Sequence, residues 1–101
     1  MRIETALQRY LTQLQADGRS PHTIASASRY VRWLALWLAQ EGRSGDVRRL
    51  RHEDLAAYLA APVTRLRADG RPKTAPTVNV LRSHLKAFFR FLHQAGYLRQ
   101  D

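Results

Sequence analysis

Asn79, Arg82, Ser83, Lys86, Arg90 and His93 recur at intervals of three and four residues near the end of the chain. That spacing gathers them on one face of a helix. All of them can donate hydrogen bonds or carry positive charge, and no carboxylate stands among them. Such a face suits phosphate oxygens and the acceptor-rich edges of bases. An earlier stretch repeats the chemistry with Ser20, His22, Thr23, Ser26, Arg29 and Arg32. Small hydroxyl residues at a helix start bind phosphate together with the free backbone N–H groups there. Thr74 and Thr77 offer the same at the later helix, just after Lys73. The candidate contacts with nucleic acid are therefore Ser20, His22, Thr23, Ser26, Arg29, Arg32, Lys73, Thr77, Asn79, Arg82, Ser83, Lys86 and Arg90.

Runs of charge are ordinarily just solvated surface, so the distribution of charge decides. Lys and Arg number 17 against 8 Asp and Glu, for a net charge of +9 and a pI near 11.3. Of the 17, 15 are Arg, the better bidentate partner for phosphate and guanine. No acid occurs from Gly18 to Gln40 or from Gly70 to Gln100. The eight acids all fall outside these two segments, which also carry the longest apolar stripes. In a folded domain this imbalance points to a polyanion, nucleic acid before acidic membrane.

Enzymatic chemistry finds little support. His22, His52, His84 and His93 include no i,i+4 pair, and His84 and His93 fall on opposite sides of one helix, so no metal site is expected. There is no Gly-rich phosphate loop, no nucleophile elbow and no carboxylate pair on an apolar face. Tyr10, Tyr30, Tyr58 and Tyr97 read as core or capping aromatics. No catalytic residue and no cofactor is expected. The absence of cysteine excludes a disulfide framework and a thiolate metal site. No apolar run approaches the roughly 20 residues that span a bilayer, and Glu4, Gln8 and Arg9 interrupt any signal-like N-terminus. The expectation is a cytoplasmic protein with no membrane partner.

The elements that must position these residues are all helices. With 101 residues, of which 45% are apolar, the chain suits one domain, residues 1–101. A first helix over about Ile3–Ala16 carries Ile3, Leu7, Tyr10 and Leu14 on one side, and Gly18 closes it. A second starts with Ser20 as cap and Pro21 in the first turn and ends at Gly42. Ile24, Ala27, Val31, Leu34 and Leu38 form its inner stripe, widened by Trp37 and by Tyr30 or Trp33, with Ser26, Arg29 and Arg32 facing out. A third spans roughly His52–Ala61, with Leu50 and Leu55 placed as a hydrophobic staple and Pro62 as its stop. Val63–Lys73 reads as an irregular basic loop with one helical turn at its start. The fourth helix starts near Pro76 or Thr77 and buries Val78, Leu81, Leu85, Phe88 and Leu92, widened by Phe89 and Phe91. It ends at Ala95–Gly96, with Tyr97 folding back on Leu92, and residues 98–101 trail off without a further element. Nothing alternates with period two, so no sheet is expected. The fold class is all-α, a compact orthogonal bundle of four helices.

In order and spacing, SPHTI, WLALWLAQEG, LRHEDLAAYLA and TVNVLRSHLKAFFRFLHQAGYL resemble the core-binding domain of tyrosine recombinases of the phage-integrase and Xer type. The resemblance covers nearly the whole chain and implies a SAM-like fold lying N-terminal to a catalytic domain. It implies double-stranded DNA as partner, with the second and fourth helices crossing in a major groove. The downstream catalytic domain of the same protein and neighbouring recombinase subunits on DNA are further implied partners. Thr23 matches the hydroxyl at the start of the second helix, Trp37 its late aromatic, and Ser83 and Lys86 the small and basic positions of the fourth. Gly96–Tyr97–Leu98 resembles the exit toward an interdomain linker. Ala27 stands where many members have Tyr, Val80 where many have a basic residue, and Arg51 where Ser or Thr usually caps. The loop from Pro62 to Ala75 is longer than usual. The catalytic arginines, lysine, histidines and tyrosine of the family have no counterpart here, which suggests a domain excised from upstream of them. The rival reading is an all-α protein-interaction module with no nucleic-acid role. A stand-alone helix-turn-helix regulator fits less well, since no helix pair joined by a short turn stands out.

Overall fold

Ser20 and Pro21 start the longest stretch of helix on the N-terminal side as their types require. In the computed structural model, which describes residues 1–98, the Ser20 hydroxyl accepts from Thr23 N–H at 3.2 Å. Pro21 occupies the first turn, where its missing N–H costs nothing. The helix that follows, α2, runs Pro21–Gln40. It lies after α1, Ile3–Ala16, and before α3, His52–Ala60, α4, Pro62–Arg65, and α5, Ala75–Gln94. Val47–Arg49 form a 3-10 turn between α2 and α3. The described residues contain no strand, only the isolated bridges Arg2–Asp46 and Leu66–Pro72. The expected all-α, SAM-like bundle is thus the observed class, with four long helices and one added single turn.

The helices pack because their stripes meet. α2 lies between α1 and α5, and one cluster holds Ile3, Leu7, Tyr10, Leu14, Val31, Leu34, Trp37, Leu38, Leu81, Leu85, Phe88 and Leu92. Ala27, on the inner side of α2, is fully buried. Tyr10 lies 5.4 Å from the Phe88 ring and 5.1 Å from Phe91, joining α1 to α5 through aromatic contact. Trp37 meets Tyr58 at 5.3 Å and so draws α3 onto the same core. Arg43 covers the other side of Trp37 at 5.1 Å while donating to Asp54 at 2.8 Å.

α5 ends as its sequence predicts. Tyr97 N–H donates to Leu92 O at 2.9 Å and Gly96 N–H to His93 O at 3.1 Å. Gly96 has φ +77°, which a side chain would strain. Tyr97 then receives Arg9 NH1 on its hydroxyl at 3.1 Å, tying the exit of α5 back to α1. Of the expected tail over 98–101, residues 99–101 lie outside the described residues.

Three features depart from the sequence reading. Residues 1–3 dock on the turn-rich segment after α2, with Ile3 N–H to Gly45 O at 2.8 Å and Val47 N–H to Met1 O at 2.9 Å. Asp46 accepts from Arg48 N–H and the Met1 ammonium, and the Arg48 bond is the main cause holding its carboxyl below the ordinary range. Arg51 offers α3 no side-chain cap, but Asp54 Oδ2 accepts the Arg51 N–H at 3.0 Å, supplying half of a capping box. The 66–73 segment is a tight return rather than an irregular loop. Arg67 N–H donates to Arg71 O at 2.7 Å, and Lys73 N–H returns to Arg65 O at 2.8 Å.

Candidate nucleic-acid interface

The two acid-free segments became α2 and α5, and these are neighbours in the fold. Among the described residues, Arg29, Arg32, Lys73, Arg82, Lys86 and Arg90 enter no ion pair. Arg2, Arg43, Arg67 and Arg71 each have a carboxylate within 4.0 Å. Arg9, Arg19, Arg48, Arg49, Arg51 and Arg65 are also unpaired among the described residues, but every cation carried by α2 and α5 lacks a carboxylate partner, and all the paired arginines lie outside those two helices. Uncompensated charge on one pair of helices is the electrostatic footprint of a polyanion site.

Around the α2–α5 crossing the candidates come together. The Arg29 guanidinium lies over the Tyr30 ring at 5.1 Å and the Trp33 ring at 5.9 Å. Tyr30 in turn lies 5.2 Å from the His84 ring. Burial, then the nearby Arg29 and His22 charges, push the His84 pKa down, so its imidazole is held neutral at pH 7. Arg29, Lys73 and Thr77 line one cleft of about 310 Å³ with Trp33, Thr64 and Leu81. The Thr77 hydroxyl lies 2.9 Å from that of Thr74, the cap residue just before α5. Ser20 and Thr23 hydroxyls pair likewise at 3.0 Å at the start of α2. Both helices thus present paired hydroxyls beside free N–H groups.

Other candidates lie farther along α5, are buried or are already engaged. Ser26 is buried, 6% exposed, which corrects its expected outward position: it sits at the border of the inner face of α2. Arg82 is half-buried and donates to Asn79 Oδ1, so those two side chains act as one unit. Arg32 donates to Ser28 Oγ at 3.1 Å, and Lys73 Nζ to Val63 O at 3.4 Å. Arg90 is exposed at the far end of α5, where its charge reaches Tyr10 of α1. Thirteen residues of helix separate it from Thr77, roughly 20 Å. Ser83 and Lys86 are exposed between them.

Several apolar side chains stay in solvent, among them Trp33, which the sequence offered with Tyr30 as a widening of the inner stripe; Tyr30 is the half-buried one of the two. Trp33 is 47% exposed, Leu36 58%, Val63 62% and Val80 47%. Trp33, Leu36 and Val63 line a second cleft of about 270 Å³ with Trp37 and Tyr58. Thr64 lines both clefts, and its buried hydroxyl has that of Tyr58 as its neighbour. Helical periodicity alone left Trp33 on the margin of the stripe, and that margin was its only signal. Among the described residues no group of three metal-ligating side chains forms, and no helix is long and apolar enough to cross a membrane.

The family model described as phage integrase, N-terminal SAM-like domain, matches residues 7–96. No curated protein and no solved structure matches the chain.

Proposed function

This chain belongs to the family of phage-integrase N-terminal SAM-like domains, and from that premise we propose that it is a DNA-binding clamp acting beside a recombinase catalytic domain. The domain itself carries no chemistry; its task is to grip double-stranded DNA with α2 and α5 laid in a major groove. The single observation behind this reading is the set of cations on α2 and α5 without carboxylate partners. Arg29, Lys73 and Thr77 take phosphate near the α2–α5 crossing, and Ser83 and Lys86 extend the contact along α5. A catalytic domain of the same protein and adjoining recombinase subunits are the protein partners this role requires.

The test is duplex binding as a function of salt. With about four to six phosphates neutralised, log K falls with log salt at a slope of roughly −4 to −5. Without a catalytic half, affinity lies in the non-specific range of about 10⁻⁴–10⁻⁶ M at physiological salt. Neutralising Lys86, Arg82 or Arg90 weakens binding and flattens the slope, whereas Arg2→Gln and Arg9→Gln leave both unchanged. Equal losses from the two sets would mean diffuse charge and would end the docking-face reading.

A second reading draws on the cleft of Trp33, Leu36 and Val63, an exposed apolar surface suited to a protein partner. It predicts no salt-dependent duplex binding at all, so the same titration separates the two.

A further inference from the structure

Val80 is an apolar side chain left 47% exposed on α5, the helix whose cations have no carboxylate partner. Its neighbours one turn away are Pro76, Thr77, Ser83 and His84. Thr77 shares a cleft with Arg29 and Lys73, and His84 stacks on Tyr30 of α2, so Val80 stands beside the α2–α5 crossing. It also lies within the first two turns of α5, near the free N–H groups and the Thr74–Thr77 hydroxyl pair. About half of its surface stays in solvent.

The occupant of an apolar group at this place follows from the chemistry of the groove. Every base-pair edge in the major groove offers hydrogen-bond donors and acceptors, and the only apolar group there is the C5-methyl of thymine. A valine cannot hydrogen-bond to an edge, and against a phosphate it would only displace water. Resting on the DNA-binding reading, we infer that Val80 is a specificity-determining residue that packs its isopropyl group against a thymine methyl. The surrounding cations set affinity without regard to sequence, and Val80 biases the docked domain toward A·T pairs with a methyl in reach.

The experiment compares two duplexes of equal charge that differ only in that methyl, poly(dA–dT) and poly(dA–dU). The wild-type chain binds the thymine polymer more tightly, by about fourfold for each methyl buried. Val80→Ala keeps the helix, since alanine is the better helix former and the site is exposed, and loses the preference while retaining the salt slope. Val80→Thr, of similar shape but with a hydroxyl, keeps less of the preference than valine. Equal wild-type affinity for the two polymers overturns the inference and leaves the DNA-binding reading standing. So does a preference that Val80→Ala fails to diminish. Absence of salt-dependent binding to either polymer removes both readings together.

Discussion

Tyr30 and His84 stack across the α2–α5 crossing with ring centroids 5.2 Å apart and planes inclined by 42°. The contact joins the two basic helices beside their shared core, and it places a titratable ring between them. Burial first, then Arg29 and His22, hold the His84 pKa below its ordinary 6.5. A histidine with a depressed native pKa binds protons more readily when unfolded, so stability rises with pH in that window. Thermal stability is therefore expected to fall as pH drops below about 6.5 and to level off beneath the native pKa of His84. His84→Asn should flatten that dependence in melting curves recorded from pH 7.5 to 5. On the DNA-binding reading the sign for affinity is opposite to that for stability. Phosphates near His84 raise its pKa, binding takes up a proton, and affinity increases as pH falls.

Leu85 is fully buried in the centre of α5. Leu85→Ala should lower the unfolding free energy by about 2–5 kcal/mol through lost burial and the cavity left behind. Urea denaturation with an unchanged m-value is the measurement. A loss under 1 kcal/mol would mean that α5 is not seated on the core.

Ser20→Ala removes the hydroxyl that accepts Thr23 N–H. The expected loss is about 1 kcal/mol, read as a shift in the denaturation midpoint. Ser20→Gly should cost less, because glycine is tolerated at the cap.

No covalent protein–DNA adduct should form when the chain is incubated with nicked duplexes and run on a denaturing gel. A tyrosine nucleophile needs an adjacent base or a lowered pKa. Burial raises the pKa of both Tyr10 and Tyr58 instead, and Tyr97 spends its hydroxyl as an acceptor for Arg9. An adduct mapped to any of these tyrosines would contradict the non-catalytic assignment.

The long helices were legible because their ends are marked by residues with few alternatives. Ser20 and Pro21 allow one kind of start, and Gly96 followed by Tyr97 one kind of finish. The stripe of Leu81, Leu85, Phe88 and Leu92 then orients α5 toward the core without further information. Pairing outside the long helices was not legible. The docking of Met1–Ile3 on Gly45–Val47 uses backbone groups, which leave no trace in residue type. The capping of α3 by Asp54 was hidden by Arg51, whose own side chain is unsuited to the task. For the candidate site, periodicity told which residues leave the core but not which helix they would then face. Arg90 shows this: it belongs to the basic face of α5, yet its charge is felt at Tyr10 of α1. Ser26 shows the reverse, a polar residue at the edge of a stripe that small size allows to be buried.

Trp33 and Trp37 stand one helical turn apart on α2, the first 47% exposed and the second 8%. They make this chain its own pair of optical reporters, since it has two tryptophans in all. Trp33 emits from a wet site beneath the Arg29 guanidinium, where an anionic quencher such as iodide is concentrated. Trp37 lies between Tyr58 and Arg43 with only its edge on the cleft, so iodide and acrylamide quench it far less than Trp33 until the bundle opens. A ligand arriving at the α2–α5 crossing thus shields one emitter and leaves the other silent, while unfolding red-shifts the second. Docking and denaturation can be followed in one cuvette, without a dye and without a single engineered label.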